Sequence, residues 1–76
     1  MRIFVAGATG VIGRQLVPML VAGGHVVAGM TRSMEKADGV RAQGATPVVC
    51  DAYDVEALRE VVVDFAPDAI LHDRGR

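Results

Sequence analysis

The sequence predicts an α/β fold in which four parallel strands alternate with three helices. Short apolar runs of strand length alternate with longer stretches of helical length, and glycine, proline or capping residues separate them. Connections of this kind are right-handed crossovers, which produce a parallel sheet with helices on both faces. The predicted element order is therefore β-α-β-α-β-α-β, with the strands in the spatial order 3-2-1-4.

The first three predicted elements are a strand, a helix and a strand. Residues Arg2–Ala6 form an apolar run that ends at a glycine, which is typical of a buried strand. The segment Val11–Ala22 has helical length and ends at two glycines. Pro18 lies inside this helix and is expected to bend it, because proline lacks a backbone donor. The second strand is predicted at residues 25–30.

The later elements continue the alternation of helix and strand. They are predicted at residues 34–43, 47–50, Val55–Phe65 and Ala69–His72. Ser33 is expected to cap the second helix, and Gly44 follows its end. Asp54 is expected to cap the third helix, and Pro67 follows that one. These caps and stops make each predicted helix a separate unit between two strands.

The composition excludes several classes of protein. With 76 residues there is room for one small domain, and a net charge of −1 gives no reason to expect a nucleic-acid or membrane partner. No apolar run reaches the ~18 residues of a membrane span. A single cysteine, Cys50, excludes an internal disulfide and favours a reduced, cytoplasmic setting. With His25 and His72 it lacks the short spacing of a metal site, so no metal is predicted.

A glycine-rich turn separates the first strand from the first helix. Gly7 permits a tight turn, Gly10 lets the backbone approach a pyrophosphate, and Gly13 lets the helix pack closely on the sheet. The start of the helix offers backbone N–H groups and a positive dipole end to phosphates. The alternative is that the glycines serve only turns and packing. The predicted dinucleotide-binding residues of this loop are Gly7, Ala8, Thr9, Gly10, Val11, Ile12 and Gly13.

This loop resembles the GxxGxxG turn of the extended and atypical short-chain dehydrogenases/reductases, especially the NAD-dependent epimerase/dehydratase-like group. The resemblance runs from Met1 to about Leu71, which is less than half of a typical family member. It implies a truncated Rossmann-like sheet. It also implies an adenine dinucleotide as the partner.

The end of the second strand indicates which dinucleotide is preferred. NAD-binding sites usually place a carboxylate there to accept from the ribose 2′-hydroxyl, but this sequence has Arg32 and no acid. A guanidinium suits a 2′-phosphate because it donates two parallel hydrogen bonds. The family resemblance likewise implies an NADP-preferring turn. NADP is therefore the expected cofactor, with NAD as the alternative; Arg32 and Lys36 could also be simply solvated.

The turn after the third strand supplies two further candidates by resemblance. Asp51 and Ala52 match the position at which family members line the adenine, where the carboxylate accepts from the exocyclic amine. An acid at this point can equally cap the following loop. Leu71 and His72 match the strand that passes the nicotinamide ribose in relatives, although His72 is more simply an exposed residue.

The catalytic pair of the resembled family is missing from this sequence. Family members carry Tyr-x-x-x-Lys, in which the tyrosine transfers a proton. Here Tyr53 is followed four residues later by Ala57, so no catalytic residue is predicted. Residues 1–76 are expected to form a partial dinucleotide-binding domain that does not catalyse a reaction alone. The alternatives are a structural or interaction module without a dinucleotide, and one half of an oxidoreductase completed by another chain.

The predicted topology leaves the sheet unequally covered. In the 3-2-1-4 order the first two helices lie on one face and the third helix on the other. The fourth strand is then an unpaired edge beside a half-covered apolar face. We therefore expect a homodimer or a larger homo-oligomer.

Overall fold

The computed structural model describes residues 1–8 and 10–72 and contains the seven elements in the expected order. They are β1 (Arg2–Ala6), α1 (Val11–Ala22), β2 (Val26–Thr31), α2 (Met34–Ala42), β3 (Thr46–Val49), α3 (Val55–Phe65) and β4 (Ala69–His72). The strands form one sheet in the order β3-β2-β1-β4, and every neighbouring pair is parallel. The predicted fold class and strand order are confirmed.

Three elements differ from the prediction by one residue at one or both ends, and strand pairing decides the bounds of the two strands among them. Val26 pairs with Arg2, and Thr31 pairs with Val49, so β2 lies one residue later than expected. Strand β3 begins at Thr46 for the same reason, since that residue pairs with Ala28. Helix α2 ends one residue early, with Gln43 as its C-cap. The α1 helix continues through Pro18.

The sheet separates two apolar cores, as alternation along its central strand requires. Ile3 and Val5 lie in a core with residues of α1 and α2, among them Val17 and Val40. Phe4 and Ala6 lie in a second core, against which the side chains of α3 pack. Helices α1 and α2 therefore cover one face and α3 covers the other, as predicted.

Two helix starts were expected to carry side-chain caps, and one of them does. The Asp54 carboxylate accepts from the Ala57 N–H at 3.2 Å, which confirms the predicted cap of α3. Ser33 is the N-cap residue of α2, but its side chain makes no capping hydrogen bond. Its backbone N–H instead donates to the Thr31 hydroxyl at 3.2 Å. The start of α2 is thus fixed to the end of β2.

Close packing brings the β1–α1 loop and α2 onto β2. A Cβ added at Gly29 would lie 2.7 Å from Val40 Cγ1 and 2.8 Å from the Ala8 Cβ. Glycine at this position therefore permits two elements to contact the middle of one strand. The result is that the glycine-rich loop and α2 pack side by side on β2.

The start of β1 is tied to the connection between α3 and β4. The Arg2 N–H donates to Asp68 Oδ2 at 2.7 Å, and the Asp68 N–H donates to the Arg2 carbonyl at 2.7 Å. The Arg2 side chain donates to the Phe65 carbonyl at 2.9 Å and lies 4.3 Å from the centroid of its ring. Ala66, the C-cap of α3, adopts a left-handed conformation with φ of 53°. These contacts hold the connection between α3 and β4 against the first strand.

Candidate functional site

The loops that leave β1, β2 and β3 meet at one edge of the sheet, because the carboxyl ends of parallel strands lie together. The Ala8 N–H donates to the Met30 carbonyl at 2.9 Å, which joins the first loop to the end of β2. The Cys50 N–H donates to the Thr31 carbonyl at 3.0 Å, which joins the third loop to the same strand. The predicted site residues after these three strands therefore lie on neighbouring loops.

The first and third glycines of the loop have structural reasons to be glycine. Gly7 has φ of 82°, a left-handed conformation that residues with a Cβ rarely adopt. Its carbonyl accepts from the Gly10 N–H at 2.9 Å, which closes the turn. A Cβ at Gly13 would lie 2.6 Å from the Gly7 carbonyl oxygen and 2.8 Å from the Ala8 carbonyl oxygen. Gly13 is therefore the point at which α1 contacts the backbone of the loop.

The backbone conformation of Gly10 does not by itself require glycine. Its φ of −70° and ψ of 173° are extended values that any residue adopts. That a glycine here lets a pyrophosphate approach the backbone stays a prediction from the sequence. Thr9, another of the predicted binding residues, lies outside the described residues.

The start of α1 is electrostatically open to an anion. Gly10 offers no side-chain cap, and the first turn of α1 contains no acidic residue. By contrast, α2 has Glu35 in its first turn and α3 has Glu56. Because a helix start carries a partial positive charge, an anion bound beside Gly10 would be stabilised there.

Arg32 is the first residue after β2 and is exposed. Its guanidinium makes no hydrogen bond or ion pair with the described part of the chain. The ion pair described there joins Arg41 to Asp38 at 2.7 Å. The helix α2 begins two residues later, at Met34. Arg32 thus follows the strand whose Met30 carbonyl accepts from the Ala8 N–H of the glycine-rich loop, and it forms no ion pair with the described residues.

Asp51 and Ala52 are exposed in the turn after β3. One carboxylate oxygen of Asp51 accepts from the Tyr53 N–H at 2.9 Å, so the side chain shapes its own turn. A carboxylate has a second oxygen, which can accept from another donor. The two interpretations of Asp51 are therefore compatible in this geometry.

In the part of the chain that the structure describes, other reactive side chains do not form a second site. Cys50 is 7% exposed, within the core beneath α3. Burial raises the pKa of its thiol, and the charges of Asp54 and Asp51 raise it further, so the thiol stays protonated. Tyr53 is 86% exposed.

Within residues 1–8 and 10–72, no group of three His, Cys, Asp or Glu side chains is placed to hold a metal. The helices described there are too short or too polar to cross a bilayer.

One cationic side chain at this edge was not among the predicted site residues. Arg14 follows Gly13 in the first turn of α1 and borders a cavity of about 290 Å³ between α1 and α2. The sequence signal for it is its position, since a cation is unfavourable near a helix start. The cavity itself depends on how α1 and α2 pack, which the sequence pattern does not specify.

The four-stranded parallel sheet and the glycine-rich turn above it define a Rossmann-type nucleotide-binding domain. The chain belongs to the NAD(P)H-binding family, whose family model matches residues 7–71. Its relatives among reductases and epimerases place it in the extended short-chain dehydrogenase/reductase superfamily, as the sequence of the glycine loop indicates.

Three relatives illustrate this similarity. The chain is 42% identical over 72 residues to a 3-diazoavenalumate denitrifying reductase of a Streptomyces species, covering 95% of this chain and 22% of that protein. A yeast methylglyoxal/isovaleraldehyde reductase, solved in complex with NADPH, is 31% identical with a TM-score of 0.79, covering 95% of this chain and 23% of that one. The UDP-glucose 4-epimerase of Thermotoga maritima is 22% identical with a TM-score of 0.81, which shows the shared fold; the match covers 96% of this chain and 24% of that one. The chain thus spans about a quarter of the length of these relatives.

Proposed function

We propose that this chain binds NADP(H) in preference to NAD(H). The observation that carries the proposal is Arg32, an exposed guanidinium at the end of β2 that no acidic side chain of the described residues neutralises. The yeast reductase of similar sequence was solved with NADPH, which supports the same cofactor here. The residues proposed to bind the dinucleotide are Gly7, Ala8, Thr9, Gly10, Val11, Ile12, Gly13, Arg32, Asp51 and Ala52.

These residues lie on three loops, and each loop is assigned a different part of the dinucleotide. The pyrophosphate fits the start of α1, because Gly10 presents no Cβ and the first turn has no acid to repel it. We assign the 2′-phosphate to Arg32 and the amine of the adenine to Asp51, which follows the next strand along the sheet. The chain's own residues thus supply binding and orientation, while hydride transfer belongs to the nicotinamide.

The preference can be measured by calorimetric titration of the purified chain with NADPH and NADH. We expect tighter binding of NADPH, and Arg32→Ala should lose roughly 1.5–3 kcal/mol for NADPH while NADH affinity stays nearly constant. Arg59→Ala is the control, because Arg59 is an exposed cation on α3, across the sheet. Equal affinities for both dinucleotides in the unmodified chain would falsify the preference.

We further propose that the chain binds its dinucleotide without catalysing a reaction alone, and that it works in the cytoplasm. The tyrosine of the superfamily's Tyr-x-x-x-Lys pair has no counterpart here, since Tyr53 lies in the turn before α3 and is followed four residues later by Ala57. The buried thiol of Cys50 suits a reducing compartment.

A homodimer is the proposed state in solution. Within the described residues β4 pairs with β1 alone, and Ile70 and Val63 remain 54% and 67% exposed on the α3 side of the sheet. A second copy can bury these side chains and pair with the edge strand. We expect sedimentation at micromolar concentration to give a dimer, with a melting temperature that rises with protein concentration. A stable monomer whose melting is independent of concentration would contradict the proposal.

A further inference from the structure

The cavity between α1 and α2 opens beside the glycine-rich loop. Ala8 and Arg14 border it on the loop side, and Glu35, Lys36 and Val40 border it on the α2 side. Its volume of about 290 Å³ accommodates a phosphate group with several waters. The α2 side of its wall begins with Glu35, three residues after Arg32, to which the proposed function assigns the 2′-phosphate.

The two cations of this cavity occupy positions that their own helices disfavour. Arg14 is the fourth residue of α1, and Lys36 is the third residue of α2. Both therefore lie in a first turn, where the helix dipole repels positive charge. Neither side chain has a hydrogen bond or ion pair with the described residues, although the chain as a whole carries a net charge of −1. Two unpaired cations at two helix starts make this cavity a site of positive potential.

The remaining polar groups of the cavity reduce this potential only in part. Among the described residues that border the cavity, Glu35 is the carboxylate and Arg14 and Lys36 are the cations, so the cations outnumber the acid. At the other end of the cavity, Gln43 donates through Nε2 to the Arg14 carbonyl at 3.4 Å. The Oε1 atom of Gln43 is buried without a partner among the described residues. Because buried acceptors are usually hydrogen-bonded, we expect a water molecule in the cavity to donate to it.

We propose that Arg14 is a second specificity residue for the 2′-phosphate of the dinucleotide. Arg14 contacts the phosphate from the α1 side, while Lys36 contacts it from the α2 side and Arg32 from the end of β2. The inference rests on the proposed function, because it assigns one more residue to that same ligand. It differs from a general role in phosphate binding, since Arg14 borders the α2 side of the loop, away from β4.

The test compares ligands with and without the 2′-phosphate. Calorimetric titrations use NADPH, NADH, adenosine 2′,5′-bisphosphate and adenosine 5′-monophosphate. Arg14→Gln should lower the affinity for NADPH and the bisphosphate about tenfold or more, because a charge-assisted contact is lost. The affinities for NADH and the monophosphate should change by less than about twofold. Glu35→Gln should have the opposite effect and raise the affinity for NADPH several-fold, because it removes a negative charge beside the phosphate. Arg59→Gln, which removes the same charge from α3, should change neither.

The outcomes separate this inference from the proposed function. If the unmodified chain prefers NADPH and Arg14→Gln binds it equally well, Arg14 is a solvated side chain and the inference fails alone. Equal losses for NADPH and NADH would assign Arg14 to the pyrophosphate and also overturn it. If the unmodified chain binds no dinucleotide, both fail. Partial recovery of NADPH affinity by Arg14→Lys, with an unchanged circular dichroism spectrum, would support the charge contact over a structural effect.

Discussion

Gly13→Ala should lower the free energy of unfolding by more than about 2 kcal/mol, a large part of the stability of so small a domain. The added Cβ would lie 2.6 Å from the Gly7 carbonyl oxygen and within 2.9 Å of the Ala8 carbonyl group. These atoms are backbone, and they belong to the turn that connects β1 to α1. Relief therefore requires the helix to move away from the sheet. Urea unfolding followed by circular dichroism measures the loss.

Gly39→Ala is the matched control, because Gly39 is also a glycine inside a helix. A Cβ there meets no atom within 4 Å. Alanine should therefore act only through its higher helix propensity and raise the free energy of unfolding by about 0.5–1 kcal/mol. The same substitution then has opposite signs in α1 and α2. A Gly13→Ala variant as stable as the unmodified chain would contradict the close approach of α1 to the loop.

Gly10→Val should abolish dinucleotide binding while the fold survives. The backbone at Gly10 is extended, with φ of −70° and ψ of 173°, so valine fits it without strain. Valine is a poorer N-cap than glycine, and we expect a loss of about 1 kcal/mol in stability. The isopropyl group occupies the space that a pyrophosphate needs above the start of α1, so NADPH and NADH should both lose at least about 100-fold in affinity.

The readout for Gly10→Val is calorimetry with both dinucleotides, beside a thermal melt. Gly10→Ala serves as the graded control, since its smaller side chain should weaken binding less. Normal affinity in the valine variant would mean that the phosphates bind elsewhere. Unfolding of the variant would assign Gly10 a structural role, as Gly7 and Gly13 have.

The order of the elements could be predicted because each one carries its own local signals. The glycine after Ala6, the cap at Asp54 and the glycines at positions 23 and 24 mark ends that need no tertiary information. The ends of β2 and β3 were wrong by one residue because they depend on strand register. The left-handed Ala66 was not predicted, since the sequence offers alanine where glycine is the usual residue.

The candidate site was predictable to the extent that it follows the ends of strands. Gly7, Arg32 and Asp51 each come just after an apolar run, and the other two glycines follow Gly7 at a fixed spacing. Arg14 belongs to a helix, and its place on the cavity wall depends on the packing of α1 against α2. The hydrogen bond that Asp51 makes to its own turn is likewise a matter of loop geometry, which the sequence left open between two interpretations.

The tie between Arg2 and Asp68 also decides how the chain folds. These residues are 66 positions apart, so their hydrogen bond closes a ring that contains nearly the whole polypeptide. Closing so long a loop has an entropic cost that local contacts do not offset, and topologies rich in such contacts fold slowly. Strand β1 pairs with β2, which is close to it in the sequence, and with β4, which is far from it. We therefore expect the sheet to consolidate only once β4 pairs with β1, and the chain to unfold as one cooperative unit.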